Sequence, residues 1–306
     1  MLINFKRCID RIKDIRQGKF VEGLKLGFPE IDEHFRFKHS NLNIIMGFPN
    51  SGKTHIAIYL MTLYTLKHKI KWLMYSSENE SFSLVQKIIE FICVKPIKKI
   101  SDEEFEKTVD FIYNHFQFID IHNLYNYKSL LDVAYDVKDF FDYQGFFIDP
   151  YNSLQIEKIK LQGVSTHEYH YEAMSEFRVF CQQNEVSIWL CMHANTEAMR
   201  RLHPPNHEFG GHPAFPSPAA VEGGSKHLNR CDDFLICHRY TGHPTLWPNT
   251  YLQVAKVKSI ETGGKLLILS PPRHGKTELL IHFAIYQICK NPNVRIMWVG
   301  GNEDIA

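Results

Sequence analysis

The sequence predicts an α/β fold: a mostly parallel sheet with helices on both faces, built around a phosphate-binding loop and followed by a truncated C-terminal βαβ fragment. Three observations predict it. From residue 41 onward, short apolar runs alternate with segments of helical spacing, the pattern of repeated βα units. Gly47-Phe-Pro-Asn-Ser-Gly52-Lys53-Thr54 matches GxxxxGK[ST] between a strand and a helix. Two Ser-x-x-Glu boxes, at Ser101–Glu104 and Ser165–Glu168, mark helix starts within that alternation.

Composition allows such a fold and excludes several others. The chain has 306 residues, 44% hydrophobic and 23% charged, which is enough for a large buried core and rules out wholesale disorder. Lys and Arg total 35 against 34 Asp and Glu, so no global basic field advertises nucleic acid and any such contact must be local. Apolar runs reach about six residues, far short of the ~20 that a membrane span needs. The first twenty residues are charged throughout, without a signal-peptide block. The seven cysteines are scattered without a CxxC pair and read as reduced thiols of a cytoplasmic protein.

Taken in order, residues 4–17 set Phe5, Cys8, Ile9, Ile12 and Ile15 at helical spacing, a linker helix within a segment assigned to residues 1–20. The main domain is assigned to 21–264. Residues 42–46 read as a strand. Residues 53–67 read as a helix with Ile56, Tyr59, Leu60, Leu63 and Tyr64 on one face. Strands follow at 70–75, 116–119, 145–148, 186–192, 234–238 and 251–258. Helices follow at 82–92, 101–115, 128–141 and 165–183. Residues 203–222 hold five prolines and two glycines, either a long functional loop or a disordered insertion.

The chemistry centres on the glycine-rich loop. Glycines let backbone N–H groups wrap phosphates, and the helix N-terminus adds positive charge. Gly47, Asn50, Ser51 and Gly52 shape that cradle, Lys53 reaches the β and γ phosphates, and the Thr54 hydroxyl ligates Mg2+. A second carboxylate for the metal belongs at the end of a neighbouring buried strand, where Gly145-Phe-Phe-Ile-Asp149 supplies one. Hydrolysis needs a base, and Glu78 ends the strand at 70–75, with Glu80 as competitor. His193 ends the strand at 186–192, where a polar side chain can sense the γ-phosphate. His203, His207 and His212 lack the Cys or acidic cluster of a metal site.

These residues resemble the RecA-like hexameric replicative DNA helicases: the DnaB type, and still more the phage primase-helicase and Twinkle group. The segment from Glu22 to Asp32 is similar to the family's TGF…LD lead-in. Ser77-Glu78 resembles its S-x-E motif, Asp149 its Walker B aspartate, and His193 its γ-phosphate sensor in the Twinkle-like His form. Gly223–Arg239 resembles the G-S-x…D-x…HR stretch, and Ala255–Gly264 the K-x-R…TG motif. The resemblance spans about residues 20–264. It implies ATP and Mg2+ as cofactors, single-stranded DNA as partner, a homo-hexameric ring, and a catalytic set of Glu78, His193 and the finger element. The family's finger Arg, which reaches the adjacent subunit's site, is Lys258 here, with Lys256 expected to point the same way. No primase region stands ahead of residue 1, so a primase is expected separately or upstream.

For DNA, Lys158 and Lys160 after Asp149, and Arg200 and Arg201 after His193, are cations on loops suited to phosphate contact, or ordinary solvated charges. Residues 265–306 hold a second GKT at Gly275, Lys276 and Thr277. This stretch resembles the variant P-loop of phage terminase large subunits, cut off after one βαβ unit. The expected origin is a phage protein of the infected bacterial cytoplasm, joined to the start of a terminase at a gene-model or assembly junction. Three functions stay open: helicase core, non-unwinding RecA-like DNA-dependent ATPase, and packaging terminase.

Overall fold

The computed structural model describes residues 5–17, 23–123, 125–156, 165–221 and 223–258. The second GKT (Gly275, Lys276, Thr277), the fragment 265–306 that carries it, and Lys158 and Lys160 lie outside the described residues. No helix among the described residues is long and apolar enough to cross a membrane.

The linker helix is α1 (Phe5–Arg16). The lead-in that follows holds a four-residue helix that sequence reading missed, α2 (Pro29–Asp32). The Asp32 carboxylate accepts from the N–H groups of Leu26 and Gly27, each at 2.7 Å, and so fixes the turn before the helix. The lead-in then seats on the next long helix, α3 (Lys53–His68). Phe37 N–H donates to Tyr64 Oη at 3.1 Å, Lys67 Nζ donates to Leu26 O at 2.7 Å, and His68 Nε2 donates to Lys25 O at 2.7 Å. Phe35 and Phe37 meet Trp189 and Trp72 edge to face, and those two indoles lie 5.1 Å apart in the core.

Seven strands form one sheet: β1 (Leu42–Gly47), β2 (Trp72–Ser76), β3 (Phe116–Phe118), β4 (Gly145–Asp149), β5 (Ser187–His193), β6 (Asp233–His238) and β7 (Tyr251–Lys256). Their order is β3-β2-β4-β5-β1-β6-β7. All neighbours are parallel except β6 and β7, which run antiparallel. The remaining helices are α4 (Ser81–Cys93), α5 (Asp102–His115), α6 (Tyr127–Lys138), α7 (Thr166–Asn184) and α8 (Ser225–Arg230). Both expected capping boxes are present, Ser101 with Glu104 and Ser165 with Glu168.

Strand alternation divides the core. Ile45, Trp72, Met74, Phe147, Trp189 and Leu235 face α3, α4 and α5, whereas Ile44, Leu73, Phe146, Ile148, Leu190 and Met192 face α6 and α7. Both faces of the central strands are covered, which is why they read as unbroken apolar runs rather than as alternating ones. The fold class drawn from the sequence, a mostly parallel sheet with helices on both faces, is the one observed.

The proline-rich segment after residue 203 is built onto the end of the sheet. Leu202 pairs with Pro213, the His203 and His207 rings stack at 4.3 Å, and Phe209 stacks on Tyr240 at 4.1 Å. His238, buried beneath Phe215 and Tyr240, has its pKa pushed down to about 4 by that burial.

Candidate nucleotide-phosphate site

The site lies at the carboxyl ends of β1, β2, β4 and β5, where the strand order changes direction around β1. The loop leaving β1 needs its particular residues. A Cβ on Gly47 would overlap the Cys237 carbonyl oxygen of β6, so only glycine lets the strand end so close to its neighbour. Asn50 and Gly52 take positive φ values of 60° and 89°, which curl the loop back over the start of α3. Gly52 is the N-cap of α3 and offers no side chain to its first amides. Those N–H groups are open to an anion.

Lys53 is 6% exposed, and its ammonium donates to Phe48 O at 2.9 Å. It also lies 3.3 Å from His193 Nδ1. A cationic ammonium can only donate, so Nδ1 is the acceptor and the ring proton sits on Nε2. That Nε2–H faces Glu78 Oε1 at 2.9 Å. Three expected residues thus form one line, Lys53 to His193 to Glu78. Glu80 instead occupies the N-cap of α4, where its backbone carbonyl accepts from Ser83 N–H.

Beside this line, Thr54 Oγ1 donates to Asp149 Oδ2 at 2.8 Å. Asp149 is 1% exposed, and burial raises its pKa, against the Thr54 hydroxyl and the Lys53 charge, which lower it. A buried carboxylate with a hydroxyl beside it is a donor set for a hard cation. Ser51 Oγ is buried without a hydrogen-bond partner among the described residues, in the same loop. Open helix amides, a buried ammonium, an unpartnered hydroxyl and a Thr–Asp oxygen pair together fit nucleotide phosphates and Mg2+.

Three side chains that sequence reading passed over complete the arrangement. Asn79 Nδ2 donates to Asp149 Oδ2 at 3.3 Å. Asn152 Oδ1 accepts from His193 N–H at 2.8 Å, and Ser77 Oγ donates to Ser153 Oγ at 2.5 Å. The available signal was position alone, since each lies within four residues of Glu78 or Asp149.

The finger candidates separate. Because β7 runs antiparallel, Lys256 and Lys258 are carried to the opposite edge of the sheet from Lys53. They do not point the same way, contrary to expectation. Lys256 Nζ donates to Leu228 O and Cys231 O at 2.6 and 2.7 Å and caps the C-terminal end of α8. Lys258 lies beyond the strand, with its ammonium 3.0 Å from Asp232 Oδ1 and its side chain 52% exposed. Its backbone is fixed by Asp233 Oδ1 and by Lys38 Nζ. Arg200 ends the short 3-10 turn Thr196–Arg200, ion-paired with Glu197, and Arg201 is exposed beside it.

Comparison with known proteins agrees with this geometry. No family model matches the chain. It is 24% identical over 253 residues to a Twinkle homologue of Arabidopsis thaliana, described as chloroplastic and mitochondrial, covering 78% of this chain. The match takes in 34% of that protein, so the chain spans about a third of its length. Among solved structures, an isolated ATPase domain superposes with a TM-score of 0.64 at 12% identity, covering 83% of this chain and 90% of that one. A DnaB-like replicative helicase, solved with its interactions with primase in view, gives 0.64 at 13% identity over 85% of this chain and 62% of that one. A KaiC-like protein of Pyrococcus horikoshii gives 0.53 at 15% identity, covering 80% and 93%. The fold is that of the RecA-like ATPases, and the resemblance to the DnaB and Twinkle group drawn from the motifs is borne out.

Proposed function

We propose that this chain is the ATPase core of a ring-forming replicative DNA helicase, coupling Mg-ATP hydrolysis to translocation on single-stranded DNA and to duplex unwinding. The observation that carries this reading is the Lys53–His193–Glu78 line set against the Thr54–Asp149 pair. Bound Mg-ATP supplies the phosphoanhydride to be broken and the cation that neutralises its charge. The chain's own residues do the rest. Lys53 exchanges Phe48 O for phosphate oxygens, while Thr54 and Asp149 hold the cation. Glu78 Oε1 takes the proton of the attacking water, and His193 links that carboxylate to the γ-phosphate position. Lys258, at the far edge of the sheet, serves a neighbouring subunit's site, which is the reason for a homo-hexameric ring. Arg200 and Arg201, with Lys158 and Lys160, grip the DNA backbone. A primase encoded separately or upstream completes the machine.

Strand displacement on forked DNA tests the reading, with Lys53→Ala as control. Unwinding together with single-strand-stimulated hydrolysis supports it, and wild-type-like turnover in Lys53→Ala overturns the site. Stimulated hydrolysis without unwinding would favour a non-unwinding RecA-like ATPase, to which the KaiC-like similarity also lends support. Loss of activity in Lys276→Ala alone would move it to the terminase-like segment.

A further inference from the structure

The turn that follows β4 holds more of the site than any motif suggests. It is a single 3-10 turn, Tyr151–Ser153, and each of its three residues grips a different element. Tyr151 Oη lies 2.7 Å from His170 Nδ1, on α7. Ser153 Oγ accepts from Ser77 Oγ, on the residue before Glu78, and Ser77 N–H in turn donates to Asp149 O at 3.0 Å. Asn152 Oδ1 accepts from the backbone N–H of His193 at 2.8 Å.

The last of these contacts answers a specific deficit. Along β5, alternate residues direct their N–H groups to β1 or to β4. Ile188 and Ala194 donate to Asn41 O and Gly47 O on the β1 side, so His193 N–H faces the β4 side. The β4 ladder pairs only as far as Ile148 with Leu190, because the chain turns away at Asp149 and Pro150. No backbone carbonyl of β4 is left for His193. The Asn152 side chain stands in for the missing strand, and an unmet N–H there would cost a hydrogen bond.

We infer that Asn152 is a positioning residue for nucleotide hydrolysis: its carboxamide oxygen fixes the His193 backbone so that the imidazole spans Lys53 and Glu78. The inference rests on the nucleotide-phosphate reading above. His193 has Lys53 3.3 Å from one ring nitrogen and Glu78 2.9 Å from the other, so a ring that shifts by a fraction of an ångström cannot keep both. Asn152 is itself exposed, so shortening it opens no cavity.

Steady-state hydrolysis and thermal melts of Asn152→Ala and Asn152→Asp test this, with wild type and Lys53→Ala alongside. Asn152→Ala should lower kcat by roughly tenfold with KM for ATP within about twofold, the signature of an interaction used in turnover rather than in binding. Its Tm should stay close to that of wild type. Asn152→Asp keeps an acceptor oxygen in the same place and should recover most of the loss. Unchanged kcat in Asn152→Ala, an Asp variant no better than Ala, or KM and Tm moving together with kcat would each overturn the inference. If Lys53→Ala hydrolyses normally, or wild type does not hydrolyse at all, the site reading fails and this inference with it. If Lys53→Ala is dead and Asn152→Ala is not, only the inference fails.

Discussion

Replacing Asp149 by Asn should stop turnover and make the fold more stable. The carboxyl is 1% exposed, and burial, with the charge of Glu78, raises its pKa above the ordinary value of 3.8. The amide of Asn keeps one oxygen for Thr54 Oγ1 and Asn79 Nδ2 and carries no charge to desolvate. One pH unit of displacement is worth about 1.4 kcal/mol. A gain of ~1 kcal/mol moves the Tm of a domain of this size by about 2–4 °C. The sign follows from the two states. Above the raised pKa the folded carboxylate is ionised at a cost that the unfolded chain does not bear. Below the unfolded value both states are protonated and the cost disappears. The advantage of Asp149→Asn should therefore be small at the acidic end and grow as pH rises through the raised pKa. Circular-dichroism melts of both proteins between about pH 5 and pH 8, without nucleotide, measure it. Adding Mg-ATP should raise the Tm of wild type and barely that of the variant, since the cation loses its buried carboxylate. A variant less stable than wild type at the alkaline end, or a difference that does not change with pH, would refute the reasoning.

Glu78→Gln should keep nucleotide binding and lower turnover by about 10²-fold or more, as for a lost general base, while Glu80→Gln should leave turnover near wild type. The reverse result places the base two residues later. Gly145→Ala should destabilise by roughly 1–3 kcal/mol, because its Cβ would overlap the fully buried indole of Trp72. Urea titration followed by Trp fluorescence reads this loss. If Lys258 acts on a neighbour, mixing Lys53→Ala with Lys258→Ala should recover activity from two inactive proteins. No recovery in a mixture shown by light scattering to assemble removes the finger role. Lys256→Ala should cost about 1 kcal/mol through the α8 carbonyls it leaves unmet, with turnover per intact site unchanged.

What could be read in advance was whatever is local in sequence. The Gly47–Thr54 loop, the Ser101 and Ser165 caps and the apolar strands each announce themselves within a few residues, because backbone geometry dictates the side chains there. Asn79 and Asn152 carry no such mark. A polar residue in a turn has no periodicity, and its partner is fixed only once β4 and β5 lie side by side. Lys256 and Lys258 show the limit differently. A two-residue spacing implies a common direction only within a regular strand, and β7 stops at Lys256 after a register shift opposite Phe234 and Leu235. The six-residue helix α8 escaped notice because it is too short for a periodic stripe and starts at Gly224, without a capping side chain.

The seating of the lead-in on α3 has a mechanical consequence. The lead-in is bonded to the far end of that helix through Lys67, His68 and Tyr64, while the phosphate loop forms its near end. Sixteen residues of α-helix make a strut of about 24 Å. A tug on the chain where it enters the domain is therefore delivered to the opposite end of that strut, as a thrust or a pull on Lys53 and Thr54. Such a linkage transmits load without stretching, because shortening or lengthening an α-helix breaks its internal hydrogen bonds in series. Strain arriving from a neighbouring subunit through the entering chain would reach the phosphate loop as displacement, and optical-trap measurements of hydrolysis under load applied at the N-terminal end would register it as a change in turnover.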